Sequence, residues 1–162
     1  MKTLESFEIK EKKKVKRTSG RITAISISKK KGIPKSNVPF ANLIADWGIE
    51  GDVHAGKWHR QVSFLAIESI DKMRVKLPSL RPGAFAENIT TEFIDIPHLK
   101  IGTKVRIGNE AELVITQIGK KCHDKCAIFA IVGDCVMPRE GIFAKVIRSG
   151  KICTNDKIEI LS

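Results

Sequence analysis

Turn residues cut this chain into short apolar runs, and only one stretch keeps a helical period. That pattern confines it to a mainly β fold. The runs Lys104–Ile107 and Ala111–Ile118 are separated by Gly108-Asn109, which signals a hairpin. Residues 21–28 carry Ile22, Ala24, Ile25 and Ile27 in a polar-punctuated, strand-type run, and residues 29–37 form a lysine-rich loop. Further strands are expected at 142–147, before Ser149-Gly150, and at 157–161, where Ile158 and Ile160 alternate with polar residues. The exception begins at Ser63. Ala66, Ile70, Met73 and Leu77 recur at helical spacing, with Glu68, Asp71, Lys72 and Arg74 on other faces. The spacing predicts a helix with Ser63 as N-cap and Pro78 as its stop, its apolar stripe packed on a core. Many short strands with Gly and Pro turns and few helices make an α+β chain that is mainly β, a barrel with helical decoration.

Composition sets the outer bounds. With 162 residues, 42% of them hydrophobic, the chain can bury one core. The formal net charge of +11 is concentrated early, in a basic run at 10–17 followed by Thr18-Ser19-Gly20, which reads as a linker or turn. The expected organisation is a solvated basic extension over 1–19 and one domain over 20–162. No apolar run approaches the roughly 20 residues that span a bilayer, so no membrane partner is expected. The first residues lack the basic-then-apolar layout of a secretory leader. The expected location is therefore the cytoplasm, with the four cysteines free. Basic charge attracts any polyanion, but the chain has no Tyr and only 6% aromatic residues, a thin supply of base-stacking platforms. Specific nucleic-acid binding is not expected, and a basic nucleic-acid-binding barrel stands only as an alternative.

Chemistry-bearing residues gather in three places. The first is Gly119-Lys-Lys-Cys-His-Asp-Lys-Cys, with Cys135 shortly after. Cys122 lies between Lys121 and His123, and neighbouring positive charge favours the thiolate that binds soft metals or attacks sulfur. Cys135, in an apolar run, and Cys153, in a strand-like tail, read as packing residues. Cys122, His123, Cys126 and Cys135 also admit an alternative, a zinc-binding structural module, although the Cys-x-x-x-Cys spacing is loose for it. The second place is the segment 48–63, with two histidines, two acids and an arginine but no sustained period, as in a ligand-binding loop. His54 and His59 are not at the i, i+4 spacing that aligns two zinc ligands on a helix. The third is Arg81-Pro-Gly-Ala-Phe-Ala-Glu-Asn-Ile, where turn chemistry meets Glu87 and Asn88.

Taken in order, Gly51-Asp52-Val-His54-Ala-Gly56, Pro82-Gly83-Ala-Phe85-Ala-Glu87-Asn88-Ile89, Ile101-Gly102-Thr and Val114-Ile-Thr-Gln117, running into Cys122, resemble the MOSC family. These domains are related to the C-terminal domain of molybdenum cofactor sulfurase. Arg139-Glu-Gly141-Ile-Phe-Ala-Lys-Val-Ile-Arg-Ser-Gly150 is similar to the family's closing segment, so the resemblance runs from about Gly20 to the C-terminus. The likeness is to small stand-alone bacterial members. It implies a MOSC-type β-barrel of the pyruvate kinase β-barrel kind, with a cysteine beside a basic pocket that carries sulfur or ligates molybdenum of the pterin cofactor. Cys122 matches that cysteine, with Cys126 the other choice because relatives carry Pro-Cys where this chain has Lys121-Cys122. Asn155 stands where relatives carry Gly, and Asn tolerates the left-handed conformation such a turn requires.

The implied cofactor, molybdopterin, is a polar heterocycle with a dithiolene and a phosphate. Arg60, Lys121 and Arg139 suit the phosphate, as forked and point-charge donors. His54, His59, Glu87 and Asn88 suit the pterin or oxo groups. The implied activity is sulfur or cofactor transfer, or reduction of N-hydroxylated compounds by a small molybdenum enzyme. The implied partners are the cofactor, the proteins that make or sulfurate it, and, for a reductase, a separate electron donor.

Overall fold

The structure is a computed structural model that describes residues 17–120 and 135–161. Lys121, Cys122, His123, Cys126 and the basic run at 10–16 lie outside the described residues.

Alternation along each strand builds a barrel. Strands β1 (Ser19–Ile27), β5 (Val62–Ala66), β6 (Ile89–Glu92), β7 (Lys104–Ile107), β8 (Ala111–Ile118), β9 (Ile142–Arg148) and β11 (Lys157–Ile160) close a ring in the order β1-β11-β7-β8-β9-β5-β6 and back to β1. Closure leaves no free edge in the ring, the usual reason a small sheet rolls up. Ile22 and Ile25 of β1, Val62 and Phe64 of β5, Leu113 and Ile115 of β8, and Ile142 and Ala144 of β9 point into one core. Phe64 is fully buried, and removing such a ring costs about 3–5 kcal/mol. The hairpin β7–β8 forms where Gly108-Asn109 places it, with Lys104 opposite Val114 and Gly108 at φ 66°. Strand β2 (Ser36–Val38) pairs with the end of β1, and β3 (Phe40–Ile44), β4 (Gly48–Ile49) and β10 (Gly150–Cys153) form a smaller sheet.

One pairing in the ring, β5 with β6, is parallel. Parallel neighbours need a crossover, and helix α1 (Ile67–Arg74) lies in it. Leu65 and Phe143, on the outward faces of β5 and β9, join Ile70 and Met73 of α1 and Met137 of α2 (Met137–Glu140) in a second apolar cluster. Strand β5 is thus buried on both faces.

The structure corrects two readings of the sequence. Ser63 is not a helix cap but a residue of β5, and the helix starts at Ile67 with no side-chain cap. A strand buried on both sides loses its period of two, so its apolar residues imitate a helical stripe. The helix also ends before Pro78, at Arg74, with Leu77 folding back through its N–H to the Met73 carbonyl. The second correction is Ser19-Gly20, which is strand rather than linker. Here β1 passes from β11 to β6, and a Cβ on Gly20 would sit 2.1 Å from the Glu92 carbonyl oxygen. Asn155 takes the left-handed conformation expected of it, at φ 76°.

Candidate functional site

The loop between β4 and β5 is held by its own polar groups. Gln61, fully buried, accepts from Val146 N–H at 3.0 Å and reaches Asp46 at 3.3 Å. Trp58 Nε1 donates to the His54 carbonyl at 2.8 Å. Asp52 Oδ1 accepts from Ser28 N–H at 3.1 Å, and Oδ2 from His54 N–H at 3.1 Å. The same carboxylate meets Lys35 Nζ at 2.7 Å, and neither side chain is exposed. Lys35 Nζ also lies 2.9 Å from His54 Nδ1. Burial lowers the Lys35 pKa, with Asp52 opposing it. Burial likewise pulls the His54 ring down to about 4, and the Lys35 cation pushes the same way. His54 is therefore neutral near pH 7.

The turn at 82–88 is built around Glu87. Its fully buried carboxylate accepts from Gly83 N–H at 2.8 Å, Phe85 N–H at 3.1 Å and Thr90 Oγ1 at 3.0 Å. Burial raises its pKa, and these donors pull against that shift. Asn88 fastens strands together. Its Oδ1 accepts from Ser63 N–H at 3.0 Å and Ser63 Oγ at 3.2 Å, and its Nδ2 donates to the Ser26 carbonyl at 3.1 Å.

Loop and turn meet across a cleft of about 290 Å³. Among the described residues its polar lining is His54, Arg60, Ser63, Asn88 and Lys120, with no carboxylate. Trp58, Phe85, Met137 and Phe143 supply apolar walls. Arg60 is layered between rings, its guanidinium carbon 4.6 Å from the Trp58 centroid and 5.7 Å from that of Phe143. Its Nε is buried with no hydrogen-bond partner among the described residues. Lys120 and Cys135, on either side of the segment 121–134, both line the cleft.

Of the residues singled out in the sequence, His54, Arg60 and Asn88 come together here. Glu87 lies behind the wall, its oxygens occupied by the turn. His59 is exposed and turned to β8, where Nε2 meets Gln117 Oε1 at 2.8 Å and its carbonyl accepts from Thr116 Oγ1. Arg139 lines a second cleft with Glu68, Lys72, Asp95 and Glu140. On α2, Met137 faces the first cleft, and two residues further on the helix has turned by about 200°. Lys121 and Cys122 lie outside the described residues. Among the described residues no cluster of three or more metal-ligating side chains occurs, and Cys135 is the one member of the proposed zinc set that is described, buried beside the cleft. Sequence reasoning passed over Lys35 and Trp58. Pro34-Lys35 ends a lysine-rich loop, and nothing in its spacing marks one lysine as buried.

The order of glycines, Asp52 and His54 in the loop, then Gly83 to Asn88 in the turn, converging on one cationic cleft of a closed barrel, is a family arrangement. The MOSC domain model matches residues 51–159. The chain belongs to the MOSC domain family. As a MOSC domain it is similar in fold to the crystal structure of the YuaD protein from Bacillus subtilis, at TM-score 0.76 and 21% identity over 90% of this chain and 97% of that one. YiiM from Escherichia coli is similar at TM-score 0.62 and 19% identity, over 88% of this chain and 70% of that one. YiiM from Geobacillus stearothermophilus is similar at TM-score 0.65 and 16% identity, over 88% and 75%. At these identities the likeness is one of fold. No curated protein matches the chain in sequence.

Proposed function

We propose that this MOSC domain binds the molybdenum cofactor in the cleft of His54, Arg60 and Lys120, and acts in transfer of the cofactor or its sulfur. The observation that carries this reading is the lining: Arg60 held between Trp58 and Phe143, Lys120 nearby, and, among the described residues, neither a partner for the buried Arg60 Nε nor a lining carboxylate. A flat anionic heterocycle fits such a site. Aromatic walls take its faces, and cationic donors take its phosphate. Arg60, stacked on Trp58 and Phe143, and Lys120 would hold the phosphate, while Phe85 and Met137 would pack against the pterin and exclude water. Asn88 would offer only its second amide hydrogen, since its oxygen already accepts twice from Ser63. The soft ligand is assigned to Cys122, next but one in sequence after Lys120. When bound, the group supplies a redox-active molybdenum and a pair of dithiolene sulfurs. Reduction of N-hydroxylated compounds would rest on the same binding event and draw electrons from a separate donor protein. Consumption of an external reductant distinguishes the two activities.

The test is purification from a host that makes the cofactor, followed by elemental analysis and fluorescence of the released, oxidised pterin. The wild type is expected to retain molybdenum and pterin together. Arg60→Met should lose at least ten-fold in retention, since a buried hydrogen bond to an anion contributes about 1.5–3 kcal/mol. Cys122→Ser should lose the metal while keeping its melting temperature. Zinc without pterin in the wild type would overturn the reading in favour of the structural zinc module.

A further inference from the structure

The cleft has a buried ionic back wall that the binding reading does not use. Lys35 Nζ has three acceptors within reach: Asp52 Oδ1 at 2.7 Å, His54 Nδ1 at 2.9 Å and Ser28 Oγ at 3.5 Å. The Ser28 hydroxyl is itself donating to the Lys30 carbonyl at 3.0 Å, so it is free to accept. An ammonium carries three N–H donors and no acceptor. The set is therefore satisfied when Lys35 is charged and His54 Nδ1 bears no proton.

The opposite arrangement, a neutral Lys35 accepting from His54 Nδ1–H, would leave the fully buried Asp52 carboxylate without a counter-ion. That is the costlier choice, because an uncompensated buried charge is strongly destabilising. Nε2, on the other side of the ring, has no partner among the described residues, and His54 lines the cleft. Besides Lys35 and Asp52, the charges facing His54 among the described residues are Lys31 and Lys120, both positive, with Glu87 behind Lys35. The positive neighbours disfavour a second proton on the ring.

We propose that Lys35 is a positioning residue: anchored on Asp52, it donates to His54 Nδ1 and fixes His54 as a neutral ring that presents Nε2–H to the cleft. His54 is thereby a hydrogen-bond donor to an acceptor atom of the ligand, such as an oxo or carbonyl oxygen, and neither a general base nor an imidazolium. The fixed tautomer adds a directional neutral donor to a site whose charged lining groups, Arg60 and Lys120, are cationic. It also makes the cleft select for an acceptor at that point. The proposal extends the cofactor-binding reading but stands on the ligand-free protein, so the two can fail separately.

The experiment is nitrogen NMR of the ligand-free protein labelled with 15N at histidine, followed from pH 8 down to pH 5. His54 is expected to show a pyridine-type Nδ1 and a pyrrole-type Nε2 throughout, in keeping with a ring that protonates only at about pH 4. The paired variant Lys35→Met/Asp52→Asn removes both buried charges and so avoids stranding either one. In it the tautomer preference should be lost; burial of the ring, the first cause of its low pKa, remains, and the two removed charges act on it in opposite directions, so the tautomer is the deciding readout. A purely structural role for Lys35 would leave the tautomer where it was. An Nδ1–H tautomer in the wild type, titration near the ordinary value, or an unchanged His54 tautomer in the paired variant overturns the proposal. Should the variant fail to fold, the wild-type tautomer and pH profile still decide it. Absence of pterin from the wild type would remove the functional reading and leave this result untouched.

Discussion

Gly83 shows how tightly single residues are constrained around this cleft. Its φ is +94°, a region that side chains with a Cβ rarely enter, and a Cβ there would sit 2.4 Å from the Lys35 carbonyl oxygen. The obstacle is backbone, and Gly83 O is bonded to Lys35 N–H at 2.8 Å, so neither segment can withdraw cheaply. Gly83→Ala should therefore destabilise the fold by about 3 kcal/mol or more, read from the shift of the denaturation midpoint. A cost below about 1 kcal/mol would mean that the turn relaxes. The sequence marked this turn by its Pro-Gly pair and pointed both Glu87 and Asn88 at a ligand; Asn88 does line the cleft, with its oxygen taken up by Ser63, but Glu87 lies behind the wall. Residue type tells what a side chain can bond, not which way it points, and here the nearest unsatisfied groups were the turn's own N–H donors and Ser63. Lys35 was illegible for a related reason. Among the described Lys and Arg residues, the one that is buried differs from the rest only in what Asp52 and His54 bring to it from elsewhere in the chain.

At the scale of elements, β5 separates what periodicity reveals from what it hides. Strands β7, β8 and β11 were readable because their exposed faces restore the alternation that defines a half-buried strand. Strand β5 has the barrel core on one side and the cluster under α1 on the other, so the contrast disappears. Ser63 is the point at which the two readings make different predictions. As an N-cap its loss would shorten a helix. As a strand residue bonded to Asn88, its loss would loosen the link between β5 and the turn. Ser63→Ala should cost about 1–2 kcal/mol in stability, because it removes a donor and an acceptor from a buried amide. The helical signal in far-UV circular dichroism should stay unchanged. A drop in helix content with no change in stability would restore the capping reading.

For the whole molecule, the barrel was legible from the spacing of turns, whereas the boundary of the domain required the register of strands far apart in sequence. Charge composition drew that boundary at Gly20, but backbone bonds extend it. The Thr18 carbonyl accepts from Ile160 N–H at 2.8 Å, the Arg17 carbonyl from Asp95 N–H at 3.3 Å, and Ser19 lies opposite Glu159. A deletion ending at residue 19 would remove these partners, leaving the ends of β11 and of the segment before the 3-10 turn Ile96–His98 to water. A chain beginning at Arg17 keeps them all. It should melt within about 2 °C of the full-length protein, since a surface change away from such contacts stays within about 0.5 kcal/mol. Removal of Met1 to Ser19 should instead lower the melting temperature by several degrees, because three barrel-closing residues go with it. The shorter deletion also takes away most of the basic run, so weak binding to nucleic acid should lose part of its salt dependence, whose slope follows the number of phosphates neutralised. Equal melting temperatures for the two deletions would show that the β1–β11 seam contributes little to closure, and a collapse of the chain beginning at Arg17 would place part of the barrel upstream of it.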